Sequence, residues 1–222
     1  MPRISRAVAI GYPHHILHRG NYRQPIFEED IDYLQYLQWL EEYSKKFFLR
    51  IWAYCFMRND VHYVAVPVKE NSLSKTFNLL HMKYSLYFNQ KRNLRGHLWQ
   101  SRFYSCILDN RHVFTAVRYV ENNPVRAKLV DRAYDYPWSS ARYHVYKEAN
   151  PILADECYLT KEIDDWAAYL MANDDDELIN NIRKNMKTGR PCGDDGFIKK
   201  IESLLGRRLK ALPRGRPPKK RR

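Results

Sequence analysis

The chain has 222 residues, of which 38 are basic and 25 acidic, giving a formal net charge of +13. That length suffices for one sizeable core, and the basic excess favours a polyanionic partner such as nucleic acid. No apolar run reaches the ~18 residues of a membrane span, and no apolar segment follows Met1 to form a signal peptide. The four cysteines are too scattered for a zinc knuckle or a disulfide scaffold. We therefore expect a cytoplasmic protein with reduced thiols.

The predicted elements follow from the spacing of apolar residues and from the turn signals between them. Strands are predicted over residues 7–19, 49–57, 61–68 and 103–108. Helices are predicted over residues 30–47, from Ser72 or Ser74 to about Lys91, and from Asp109 or Asn110 to about Asn122. The order β-α-β-β-α-β-α matches a split β-α-β arrangement. It predicts an α+β fold with a ferredoxin-like antiparallel sheet, helices on one face, and a helical C-terminal extension.

Composition divides the chain into three segments. Residues 1–145 hold the predicted sheet, and residues 146–211 are expected to form the helical extension. Residues 212–222 are too rich in proline and charge to pack, and should be disordered without a partner. This tail contains Arg214-Gly215-Arg216-Pro217, which resembles an AT-hook that lies in a narrow A·T minor groove. The alternative is a nonspecific basic tail, which would still bind nucleic acid.

A candidate metal site begins the third predicted strand. Asp60 and His62 are two residues apart, so both side chains can point at one cation while Val61 turns into the core. A carboxylate with an imidazole suits Mg²⁺ or Mn²⁺. The pattern occurs by chance in many proteins, and a turn residue followed by a surface histidine is the plainer alternative.

A candidate nucleophile lies near the end of the last predicted helix of the sheet domain. Tyr119 and Asn123 are four residues apart and share one helical face if the helix continues to Pro124. A tyrosine hydroxyl placed in line can attack a phosphodiester, and Asn123 offers a neutral oxygen to the same metal. The alternative is that Tyr119 packs at the edge of the core, in a chain that has 17 tyrosines.

Two polar stretches are typical of a nucleic-acid contact surface. Residues 96–103 interleave aromatic with polar and basic side chains, which suits stacking on unpaired bases and binding to phosphates. Residues 18–24 place two arginines beside Gly20. The alternatives are a loop pinned by one buried tryptophan and an ordinary polar loop. The candidate DNA-binding residues, including the tail, are Arg19, Asn21, Arg23, His97, Trp99, Gln100, Arg102, Arg214 and Arg216.

The ordered set of motifs resembles the REP-associated tyrosine transposases, a branch of the HUH single-tyrosine transposases with an IS200-like transposase domain. The matching stretches, in chain order, are His15-Ile16, His18 to Gln24, Ala53 to His62, Gly96 to Phe103, Tyr119-Val120, Asn123 to Ala127, Tyr136 to Ser140, Gly189 to Pro191, Leu205 to Arg208 and Arg214 to Pro217. Each match is weak alone, but the order makes the set specific.

The resemblance implies a metal-dependent nuclease and strand transferase that acts on hairpins of palindromic repeats in single-stranded DNA, through a 5′-phosphotyrosine intermediate. It implies Tyr119 as the nucleophile and His62, Asp60 and Asn123 as ligands of Mg²⁺ or Mn²⁺. Asp60 stands where the family has histidine. The chain is expected in the cytoplasm, associated with the nucleoid, as a monomer or dimer without membrane contact.

Three functions stay open at the level of sequence. The first is an active metal-dependent DNA strand transferase. The second is a domesticated, sequence-specific DNA-binding protein that keeps hairpin recognition and cleaves weakly or not at all, since Asp60 adds negative charge near a scissile phosphate. The third is an RNA-binding regulator that uses the same basic and aromatic surfaces.

Overall fold

The computed structural model describes residues 6–210. Within that range the strands are β1 (His14–Arg19), β2 (Leu49–Met57), β3 (Asp60–Pro67) and β4 (Tyr104–Ile107). The helices are α1 (Asp30–Lys46), α2 (Ser72–Arg92), α3 (Asn110–Glu121), α4 (Asn123–Arg126), α5 (Ala141–Tyr146), α6 (Leu159–Glu162), α7 (Trp166–Met171), α8 (Asp176–Thr188) and α9 (Asp195–Leu205). Short 3₁₀ turns cover Asn21–Arg23 and Ala133–Asp135.

The strands form one antiparallel sheet in the order β2-β3-β1-β4. This arrangement confirms the predicted α+β fold and places Asp60 and His62 on a central strand. Helices pack on both faces of the sheet, however, and not on one face as predicted. The first strand is shorter than the predicted 7–19, because Gly11 adopts a left-handed φ of 79° and turns the chain before β1 begins. Ala7 and Ala9 instead belong to a small buried cluster with Ile201 of α9.

The alternation of side chains along the strands separates two hydrophobic layers. On β3, Val61 and Tyr63 face the layer formed with α1 and α2, whereas Val64 faces the layer formed with α3. Helices of the C-terminal part, including α7 and α8, join α3 on that second face. The second face is therefore the one on which the C-terminal helices meet the sheet domain.

The buried face of α1 is aromatic. Tyr36 is fully buried, and its hydroxyl lies 2.5 Å from that of Tyr63 and 2.8 Å from His81 Nε2. Ile31 and Leu34, whose spacing helped to predict this helix, are 52% and 53% exposed. Tyrosine can occupy this buried face because its hydroxyl finds hydrogen-bond partners inside the core. The buried positions of α1 therefore include tyrosines, while Ile31 and Leu34 lie at the surface.

A buried carboxylate connects α3 to the C-terminal part. Glu121 has no exposed surface, and it accepts hydrogen bonds from Ser140 Oγ, His144 Nδ1 at 2.6 Å and Trp166 Nε1 at 2.8 Å. At its other end α3 is capped by Asp109, whose carboxylate accepts a hydrogen bond from His112 N at 2.7 Å, as predicted for an N-cap. Both ends of the helix that carries Tyr119 are therefore fixed.

No helix within residues 6–210 is long and apolar enough to cross a membrane. The tail predicted to be disordered, with Arg214 and Arg216, lies outside the described residues. The predicted boundaries between the three segments stay predictions.

We predict that Glu121→Ala lowers the free energy of unfolding by about 3–5 kcal/mol, because it leaves the buried donors of His144 and Trp166 without an acceptor. Urea denaturation measures this loss. Glu162→Ala, at an exposed position of α6, is the control and should change stability by less than about 0.5 kcal/mol. Equal stability of both variants would contradict the role given to Glu121.

Candidate active site

A cavity of about 540 Å³ lies between the sheet, α3 and α8. Its lining residues are His15, Leu17, Arg19, His62, Gln100, Tyr104, Tyr119, Ile182, Arg183, Met186 and Lys187. Four of the sequence-predicted site residues therefore face one space: Tyr119, His62, Arg19 and Gln100. The cavity volume is in the range of ordinary ligand sites.

The register between β1 and β3 assembles the sheet side of the cavity. Leu17 pairs with His62, and Arg19 pairs with Asp60. Because side chains alternate along a strand, His15, Leu17 and Arg19 share one face with His62. The position of each of these side chains follows from backbone pairing alone.

Asp60 is held between two partners. Its Oδ2 lies 3.1 Å from Arg19 Nε, and its Oδ1 lies 3.3 Å from His62 Nε2. Burial by itself would raise the pKa of Asp60, but His62 and Arg19 outweigh burial and hold that pKa below its usual value. Asp60 is therefore a carboxylate at neutral pH, with its charge partly balanced by Arg19.

Two imidazoles lie side by side in the wall of the cavity. The rings of His15 and His62 are stacked with centroids 5.8 Å apart, and both side chains are almost fully buried. His62 Nδ1 and both ring nitrogens of His15 have no hydrogen-bond partner among the described residues. Burial, followed by the neighbouring His62 and Arg126, holds the pKa of His15 well below its usual value, so His15 is neutral.

Tyr119 lies on α3 next to both imidazoles. Its ring centroid is 6.0 Å from that of His15 and 6.5 Å from that of His62. The guanidinium carbon of Arg126 lies 3.8 Å from the centre of the Tyr119 ring, and Arg183 Nε lies 3.5 Å from the Tyr119 hydroxyl oxygen. Tyr119 is therefore partly buried, with two guanidinium groups next to its ring.

Asn123 is separated from Tyr119 by a break in the helix. Helix α3 ends at Glu121 with Asn122 as its C-cap, close to the predicted end, and α4 begins at Asn123. The continuation to Pro124 that would put Tyr119 and Asn123 on one helical face is therefore not formed. The carboxamide oxygen of Asn123 accepts a hydrogen bond from Arg126 at 2.5 Å. Its amide nitrogen is buried without a partner among the described residues.

The donors present fit a divalent cation in part. Asp60 Oδ1 and His62 Nε2 are 3.3 Å apart, close to the separation of two neighbouring ligands on one octahedral cation. Within residues 6–210, no three His, Cys, Asp or Glu side chains are grouped to hold a metal ion. A cation at this pair would therefore take any third protein ligand from another residue type. Asn123, the third ligand expected from sequence, does not line the cavity that His62 lines.

The residues expected to contact DNA fall into two groups. Arg19 and Gln100 line the cavity beside Tyr119. Asn21, His97, Trp99 and Arg102 instead line a second cavity of about 690 Å³ between α2 and residues 96–103, and Gln100 lines both cavities. Arg23 lies in the exposed 3₁₀ turn.

Trp99 is fixed by packing. Its ring stacks on His18 at a centroid distance of 4.4 Å, and its Nε1 donates to His81 O at 3.1 Å. His18 in turn bonds to the Ser101 carbonyl at 2.6 Å. The plainer alternative, a loop pinned by its tryptophan, therefore describes Trp99 well, while the exposed His97 and Gln100 remain at the surface.

Three residues near Tyr119 were missed as site residues by sequence reasoning. His15 and Arg126 lie in stretches that match the transposase family, but the match assigned no function to either residue. Arg183 lies 64 residues after Tyr119, and no spacing in the sequence connects the two.

Comparison with known proteins gives one family match. The family model described as "Transposase IS200 like" matches residues 10–123, which is half of the chain. The match includes β1 to α3, and therefore Asp60, His62 and Tyr119. No curated protein matches the chain.

Solved structures show where the same fold occurs. A REP-associated tyrosine transposase bound to a REP hairpin aligns with a TM-score of 0.54 at 18% identity, covering 70% of this chain and 93% of that one. A putative transposase from Deinococcus radiodurans R1 aligns with a TM-score of 0.38 at 13% identity, covering 55% of this chain and 97% of that one. The alignment with the REP-associated tyrosine transposase shows that this chain has the same fold.

We predict that Arg19→Met raises the pKa of the Asp60 carboxyl, because the variant removes a cation 3.1 Å from the carboxylate. A carbon-detected NMR titration of labelled aspartate measures the change. Arg50→Met, which removes the surface partner of Glu156, should leave the pKa of Asp60 unchanged. An unchanged pKa in both variants would show that Arg19 does not hold Asp60 in solution.

Proposed function

Because this chain belongs to the IS200-like transposase family, we propose that it cuts and rejoins single-stranded DNA through a covalent link to Tyr119. The observation that carries the proposal is the single cavity shared by Tyr119, His62 and Arg19. A nucleophile, a metal-binding imidazole and a cation around one space of this size are what phosphodiester transfer requires.

The substrate proposed is a hairpin of single-stranded DNA. The solved transposase with the same fold is bound to a REP hairpin. In this chain, Gln100 lines both the Tyr119 cavity and the second cavity, so the two spaces adjoin. A strand with its scissile phosphate at Tyr119 can extend past Gln100 towards the exposed His97 and Arg102, which offer groups for phosphates and base edges.

Tyr119 is the proposed nucleophile. Its oxygen forms a bond to phosphorus while the bond from phosphorus to the 3′-oxygen breaks. The phenol loses its proton to solvent, and the leaving 3′-oxygen takes up a proton to become a hydroxyl. The products are a 5′-phosphotyrosine and a free 3′-hydroxyl, and attack by another 3′-hydroxyl reverses the step without a hydrolytic water. Arg126, stacked on the ring, fixes the orientation of the phenol.

His62, Asp60 and Asn123 are the proposed ligands of Mg²⁺ or Mn²⁺. A bound divalent cation would polarise the scissile phosphate. Arg19 positions one of these ligands, because its contact with Asp60 Oδ2 leaves Asp60 Oδ1 directed at His62. His15 packs against His62 and excludes water from that side of the ring.

A second candidate function is DNA binding without cleavage. Two of the three proposed ligands hold other partners, since Asp60 binds Arg19 and Asn123 binds Arg126. In this alternative the fold and the basic surfaces recognise hairpin DNA, and the charge of Asp60 weakens the approach of a phosphate. The two candidates differ in whether the wild type forms a covalent adduct.

We predict that Tyr119→Phe abolishes the covalent protein–DNA adduct formed with labelled hairpin DNA and Mn²⁺, because the attacking oxygen is removed. Denaturing electrophoresis detects the adduct. Tyr146→Phe, at a 56% exposed tyrosine, is the control and should form adduct at the wild-type rate. An adduct that persists in Tyr119→Phe would assign the nucleophile to another residue.

We predict that the wild type forms this adduct with Mg²⁺ or Mn²⁺ and that Asp60→Ala loses divalent-ion binding in calorimetry together with adduct formation. Asp135→Ala, at an exposed surface pair with Arg132, should retain both. Asp60→His separates the two candidate functions. No adduct from the wild type but adduct from Asp60→His would establish the DNA-binding candidate, because a histidine would then restore a lost ligand.

A further inference from the structure

Helix α8 forms one wall of the Tyr119 cavity. Ile182 is fully buried and Met186 is 5% exposed, and both pack in the layer that contains α3. Each is followed by a cation, Arg183 and Lys187, that lines the cavity and remains exposed to solvent. The spacing of three and four residues puts all four side chains on adjoining faces of the helix, so the apolar pair fixes the position of the two cations.

The charge around the cavity is positive. Its lining includes Arg19, Arg183 and Lys187 and no acidic side chain. Arg19 is paired with Asp60, but no ion pair to Arg183 or Lys187 is present among residues 6–210. Two cations without an acidic partner in the lining of one cavity favour the binding of an anion there.

Arg183 also contacts the proposed nucleophile. Its Nε lies 3.5 Å from the Tyr119 hydroxyl oxygen, and its guanidinium carbon lies 5.4 Å from the centre of the ring. A guanidinium has several donors in a planar fork, so it can face the phenol oxygen with one donor and a phosphate oxygen with another. This contact puts the cation where the bond to phosphorus would form.

We propose that Arg183 and Lys187 bind the phosphate that Tyr119 attacks, so that the C-terminal helical part completes the active site. The inference rests on the proposed function for its chemistry. As Tyr119 oxygen bonds to phosphorus and the 3′-oxygen leaves, the two cations hold the non-bridging oxygens and balance their charge. The family match ends at residue 123, so α8 lies outside the part of the chain that it describes.

Lys184 provides a matched control on the same helix. It is exposed and carries the same charge as its neighbour Arg183, but it does not line the cavity. Arg183→Ala, Lys187→Ala and Lys184→Ala therefore each remove one positive charge from α8, and only the first two change the cavity. Equal melting temperatures would show that all three variants fold alike.

Binding is measured first, without cleavage. In the full chain carrying Tyr119→Phe, fluorescence anisotropy gives the affinity for hairpin DNA with a single-stranded flank at several salt concentrations. Arg183→Ala and Lys187→Ala should each reduce the slope of log affinity against log salt by about 0.7, as expected for one lost contact to a single strand. Lys184→Ala should leave the slope unchanged.

The rate of adduct formation is measured next, in single turnover at saturating DNA with Tyr119 present. Arg183→Ala should slow it by about 10²-fold, the typical effect of removing one donor from developing charge. Arg183→Lys should recover part of the rate, and Lys184→Ala should match the wild type.

The two measurements separate this inference from the proposed function. If the wild type forms no adduct but the salt slopes change as expected, cleavage is absent and the phosphate site stands. If Arg183→Ala and Lys187→Ala match Lys184→Ala in both measurements, the phosphate site is overturned even when the wild type cleaves DNA.

Discussion

The antiparallel pairing of β1 with β3 is the constraint on which the site depends. It places Arg19 opposite Asp60 and Leu17 opposite His62. The same strand pairing therefore brings the Arg19–Asp60 ion pair together and sets the face of the sheet on which the His62 side chain lies. A shift of β3 by one residue in this register would turn both Asp60 and His62 to the other face. That face carries α1 and α2, where an unpaired carboxylate would be costly to bury.

The second half of the site depends on how α3 is held against that sheet. Tyr119 lies two residues before Glu121, the buried carboxylate that binds donors from α7 and from the chain around α5. The C-terminal helices therefore do more than extend the domain. Trp166 of α7 holds the end of the helix that carries Tyr119, and α8 lines the cavity next to Tyr119 through Arg183 and Lys187.

Much of the fold could be predicted from sequence because its periodic signals are strong. The β2–β3 hairpin has a continuous apolar pattern, and α3 has an N-cap at Asp109 that the structure confirms. The buried face of α1 could not be predicted from aliphatic spacing, because tyrosines such as Tyr36 fill the core through paired hydroxyls. The break before Asn123 reflects Pro124, which ends one helix and begins the next turn.

The site was predictable only where its residues are close in sequence. Asp60 and His62 share a strand, and their common face follows from the pleat. The partners that decide their chemistry come from elsewhere, since Arg19 arrives through strand pairing and Arg183 through packing of a helix 64 residues after Tyr119. Such contacts carry no local pattern, and only the assembled fold reveals them.

Mass spectrometry of the protein–DNA adduct identifies the residue that becomes covalently attached to DNA. Wild-type protein is incubated with hairpin DNA and Mn²⁺, the DNA is trimmed with nuclease, and the modified peptide is sequenced. We expect a phosphonucleotide on Tyr119. Attachment to Tyr104, the other tyrosine that lines the same cavity, would contradict it.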